Sequence, residues 1–120
     1  MKHHQHSEFL RHVLAAVERT AREIADAATV GAYSILDKPK GSSGYDHVCT
    51  LRNGATVTIR RVNPQQQSEG LQLEVRRVAG TTIRVPRHAP YIPWTPDDAT
   101  LVTIADGLAP DVLAVLAGAN

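Results

Sequence analysis

The chain has 120 residues, 42% apolar and 21% charged, which suits one folded domain with a modest core and argues against disorder. Its one cysteine, Cys49, excludes an internal disulfide framework, and no apolar leader follows Met1, so a bacterial, cytoplasmic type of protein is expected. The net charge of +1 hides an uneven spread: residues 45–88 carry Arg52, Arg60, Arg61, Arg76, Arg77, Arg84 and Arg87 against Asp46, Glu69 and Glu74, whereas residues 89–120 carry Asp97, Asp98, Asp106 and Asp111 with no lysine or arginine.

A basic middle beside an acidic tail points to self-association, internal pairing or an anionic partner, and is too mild to imply nucleic acid by itself. The longest apolar run, Val112 to Ala117, is too short to span a bilayer, so no membrane partner is expected.

Residues 1–6 are expected to form a mobile terminus, with a single α+β domain over 7–120. His3, His4 and His6 lie in that terminus and suit only loose metal binding; no metal site and no cofactor are expected. The first element is a helix from Ser7 to Val30, in which Phe9, Leu10, Val13, Leu14, Val17, Ala21, Ile24 and Ala28 recur at three- and four-residue steps. Ser7 is the expected cap and Gly31 the expected stop, with Glu18–Arg22 and Arg19–Glu23 as pairs on the wet side.

Residues 37–44, rich in glycine, serine and lysine, read as a flexible connector, because the Gly-Lys-Ser/Thr order of a phosphate loop is missing. Two hairpins follow. In the first, residues 45–52 and 55–62 flank Asn53-Gly54, which favours a two-residue type I′ turn. That register sets Thr50 against Val57 and Val48 against Ile59, and turns His47, Cys49, Thr58 and Arg60 to the opposite face. In the second, residues 71–78 and 82–87 surround Ala79-Gly80-Thr81, and a three-residue connection sets Val75 against Val85 and Arg76 against Arg84. Gly80 or a neighbour is then left-handed.

Residues 89–96 hold Pro90, Pro93 and Pro96 and read as an extended segment barred from a central strand. A helix capped at Thr95 is expected to end at Asp106, before Gly107, and a short last helix to start near Pro110. The order α-β-β-β-β-α-α gives an α+β layer with helices on one side of a four-stranded antiparallel sheet. The expected core face is Val48, Val57, Ile59, Leu71, Leu73, Val75, Ile83 and Val85.

The other face gathers Arg60, Arg76 and Arg84 with His47, and Glu74 is the nearby acid. Guanidinium groups on one rigid surface suit carboxylate or phosphate, so the ligand is an anion, a nucleic acid or an acidic protein. A solvated face whose arginines discourage edge pairing is the plainer account of the same pattern. Val112, Leu113, Val115 and Leu116 point around most of the last helix, which suggests a homodimer contact, and Tyr91 and Trp94 suggest an aromatic patch for a partner or a base. The expected function is therefore a non-catalytic binding module. The alternative is a phosphodiesterase, similar in outline to small microbial ribonucleases, with Glu74 and His47 or His88 as base and acid and the arginines as phosphate clamp.

Overall fold

In the computed structural model, which describes residues 3–24, 33, 35–36, 40–42, 45–63, 67, 69–78, 80, 82–86, 91–93 and 97–118, the chain opens with helix α1 (His3–Ile24). Phe9, Leu10, Val13, Leu14, Val17 and Ala21 are buried along one stripe, as their spacing requires. The helix starts four residues before Ser7, so His3, His4 and His6 belong to it and Ser7 does not cap it. Nothing in the His-rich stretch breaks a helix, so extension costs little. The expected run to Val30 lies outside the described residues, as do Asp37 to Pro39, Ser43 and Gly44 of the connector. Glu18 and Arg22 pair at 3.5 Å, whereas Arg19 reaches Asp106 in the C-terminal helix at 2.8 Å.

Among the described residues six antiparallel strands follow: β1 (Lys40–Ser42), β2 (Tyr45–Thr50), β3 (Thr56–Val62), β4 (Gly70–Arg76), β5 (Thr82–Val85) and β6 (Ile92–Pro93). The first five are neighbours in chain order, and β6 joins β4 beside β5. The expected connector thus contains a short strand, with Lys40 opposite Val48. On the other edge, β5 and β6 lie along β4 like one strand interrupted between Val85 and Ile92, with Val85 opposite Leu73 and Ile92 opposite Leu71.

The first hairpin departs from the expected register by one residue. Cys49 faces Val57 and His47 faces Ile59. Gly54 N–H donates to the Leu51 carbonyl at 2.9 Å, and Leu51 N–H donates to the Ala55 carbonyl at 2.8 Å. A type I′ turn needs positive φ at both central residues, but Gly54 has φ +89° and Asn53 is not left-handed. The loop is a three-residue Arg52-Asn53-Gly54 connection, with the Asn53 side chain accepting from Ala55 N–H at 2.9 Å. The slip puts Cys49 and Leu51, rather than Val48 and Thr50, beside Val57 and Ile59 in the core.

The second hairpin departs by two residues: Val75 faces Ile83 and Arg76 faces Thr82, across a connection from Arg77 to 81. A shift of two preserves the faces, so Leu71, Leu73, Val75 and Val85 stay buried and Arg76 and Arg84 stay opposite them. It also replaces an Arg76–Arg84 juxtaposition with Glu74 directly opposite Arg84, which is electrostatically better. Gly80 is not left-handed; Ala79 and Thr81 lie outside the described residues.

Where one or two short helices are expected, the chain forms one helix of 19 residues, α2 (Asp98–Leu116). Asp97, not Thr95, is its cap, accepting from Thr100 N–H at 3.1 Å. It continues through Gly107 and Pro110 because Leu101, Ala105, Leu108, Ala109, Val112, Leu113 and Leu116 form one unbroken buried face. Pro110, which has no N–H to give the Asp106 carbonyl, is on the exposed side, as is Asp106. The helix has no basic residue in its last turn. Arg77 supplies one from β4's end, its Nη1 lying 3.2 Å from where a Cβ would stand at Gly118.

By length and hydropathy, Ala99–Leu116 is apolar enough to cross a membrane, more so than the run at Val112 suggests, yet 44% of it is buried within this chain. Both helices pack on the same face of the sheet, α1 over β2 and β3 and α2 over β4 and β5. The other face carries neither.

Gly54→Ala should destabilise the protein by roughly 1–2 kcal/mol, because an L-residue resists positive φ and its Cβ would sit 3.3 Å from Val78 Cγ2. Urea unfolding reads this directly, and an unchanged midpoint would contradict the turn described here.

Candidate functional site

Strand alternation decides which side chains leave the core. From β4 the outward residues are Gly70, Gln72, Glu74 and Arg76; from β3 they are Thr56, Thr58, Arg60 and Val62; from β5, Thr82 and Arg84. Thr58 and Arg84 flank Glu74 directly, Arg60 stands opposite Gln72, and Arg76 lies between Thr56 and Thr82. Arg60, Arg76 and Arg84 therefore share one face with Glu74, as the alternation predicts.

Glu74 is the hub of this face. Its Oε1 lies 3.7 Å from Arg60 Nη1 and 3.8 Å from Arg84 Nε. The Glu74 side chain is 10% exposed, while the Arg60 and Arg84 side chains are 48% and 62% exposed. Solvent screens such pairs, so each contributes at most about 1 kcal/mol. Their consequence is positional: two guanidinium groups are held above a recessed carboxylate, with donors still turned to water. Among the described residues no ion pair involves Arg76. Arg60, Glu74, Thr82 and Arg84 line an open depression of about 630 Å³.

His47 is not part of this face. The three-residue turn carries it to the core side, opposite Ile59, where it is 9% exposed. It therefore does not stand beside Glu74 and the arginines. Cys49 is fully buried on that same side, which fits packing and not nucleophilic chemistry. His88 and Trp94 lie outside the described residues. Val112, Leu113, Val115 and Leu116 are buried in the chain's own core, so they offer no surface to a second subunit. Among the described residues no group of three or more His, Cys, Asp or Glu is placed to hold a metal ion.

Pattern reading named Tyr91 as an aromatic contact but did not place it beside Gly70 on this face. A Cβ at Gly70 would fall 2.3 Å from Tyr91 Cδ2, 2.9 Å from Cε2 and 2.3 Å from the Ile92 carbonyl. Gly70 points outward, so the Tyr91 ring covers it on the arginine side, while Ile92 turns inward and is buried. The partly exposed ring thus borders the row that continues with Gln72 and Glu74. The only sequence signals are a glycine at the head of an amphipathic strand and an aromatic two residues before Pro93.

No family model, no curated protein and no solved structure matches this chain.

Gly70→Ala should destabilise by about 1–3 kcal/mol through overpacking. Adding Tyr91→Ala should restore little, because the Ile92 carbonyl still blocks the new methyl. Full rescue in urea unfolding by the second substitution would contradict this contact.

Proposed function

We propose that the protein is a non-catalytic binding module whose sheet face away from α1 and α2 receives an anionic group. The observation that carries this reading is the placement of Arg60, Arg76 and Arg84 on one face of the sheet, three guanidinium charges against the single recessed carboxylate of Glu74. A rigid strand framework holds them without the entropy cost of ordering a loop, and their planar donors suit carboxylate or phosphate oxygens. Glu74 keeps Arg60 and Arg84 gathered in the free protein and limits the affinity that their charge confers.

The enzymatic alternative has one point in its favour, a glutamate flanked by two arginines, which is the pairing of a base with a phosphate clamp. Of its two candidate acids, His47 is on the core side and His88 lies outside the described residues. The binding reading is therefore preferred.

Two variants separate the possibilities. Arg60→Ala/Arg76→Ala/Arg84→Ala alters exposed side chains only, and should weaken polyphosphate binding at least about tenfold while flattening its salt dependence. Glu74→Gln should tighten polyphosphate binding several-fold by removing the competing charge. Unchanged affinity in the triple variant would refute the receptor. Hydrolysis of an RNA substrate by the wild type, lost in Glu74→Gln, would establish the enzyme instead.

A further inference from the structure

The position of Tyr91 says more about the ligand than the arginines do. The inference here rests on the reading that this face receives an anion, and it names the kind. Along β4, the outward positions run Gly70, Gln72, Glu74, Arg76 at steps of about 7 Å, two residues of extended chain each. The Tyr91 ring occupies the first position, over Gly70. Arg60 stands beside the second, opposite Gln72, Arg84 beside the third, opposite Glu74, and Arg76 is the fourth. The face is thus a strip of about 20 Å with an aromatic ring at one end and guanidinium groups spaced along the remainder.

A bare anion has no use for the ring, and an acidic peptide has no need of it. A duplex keeps its bases stacked inside, beyond the reach of a ring on a sheet face. A ligand with an exposed aromatic base linked to a chain of phosphates matches both ends of the strip. We propose that the anion bound by this face is a single-stranded nucleic acid, with one base stacked on Tyr91 and the adjoining phosphates on Arg60, Arg84 and Arg76. The Thr56, Thr82 and Gln72 side chains border the same path and offer hydrogen bonds without demanding a base sequence. Binding is accordingly tolerant of sequence and steeply dependent on salt.

The test compares a fluorescent oligothymidylate with inorganic polyphosphate by anisotropy and competition, using the wild type, Tyr91→Phe, Tyr91→Leu and Arg60→Gln/Arg84→Gln. The inference predicts that oligothymidylate outcompetes polyphosphate of equal charge. Tyr91→Leu then weakens the oligonucleotide about tenfold, Tyr91→Phe leaves it near wild type, and neither changes polyphosphate binding, which also shows that the variants are folded. The double arginine variant weakens both ligands and lowers the salt slope by about one for each arginine. If Tyr91→Leu weakens neither ligand, or if a duplex binds as tightly as the single strand, the nucleic-acid inference fails while the anion receptor stands. If the wild type binds neither polyphosphate nor oligonucleotide, both fail.

Discussion

Between Leu51 and Ala55 the backbone closes on itself: Leu51 N–H donates to Ala55, Gly54 N–H returns to Leu51, and the Asn53 side chain takes the Ala55 N–H. Because strand side chains alternate, the number of residues in that loop decides which half of β2 meets the helices. With three residues, Cys49 and Leu51 join Val57 and Ile59 beneath the sheet, and His47 goes with them. With two, Val48 and Thr50 would sit there instead. The free energy gained by burying Leu51 and Cys49 favours the longer loop, and Gly54 makes it sterically possible.

The helices depend on that sorting. α1 and α2 pack side by side on the one apolar face, joined at their wet edge by Arg19 and Asp106. An exposed pair of this kind contributes little, so the buried stripes hold the layer together. Burial also explains how α2 survives a glycine and a proline. Each costs helix stability, about 1 and 3 kcal/mol respectively, yet a break at either would misalign Leu101 and Ala105 from Val112 and Leu116. The polar consequences fall on the opposite surface, where the strands turn their guanidinium groups away from α1 and α2.

Local periodicity made much of this legible in the sequence. The α1 stripe, the apolar face of β3 to β5 and the gathering of Arg60, Arg76 and Arg84 all follow from counting by three and four, or by two. What stayed hidden depended on distant partners. Asn53-Gly54 favours a two-residue turn in isolation, and only packing against the rest of the core selects the longer one. In the second hairpin two registers share the same parity, so apolar alternation could not choose between Arg76 and Glu74 as the partner of Arg84. Gly107 and Pro110 look like breaks until the buried face on either side is seen to be continuous. Tyr91 meets Gly70 through a pairing that skips from Val85 to Ile92, which no local pattern encodes.

The account's central claim is the face assignment of β2, and the lone thiol reports on it. In native buffer, Cys49 should resist a thiol reagent until the protein unfolds, with labelling accelerated by urea in step with loss of structure, because its side chain lies under the sheet. Modification of the folded protein at the rate of an unstructured peptide thiol would place Cys49 on the arginine face, and the first turn and the β2 side of the core would have to be redrawn.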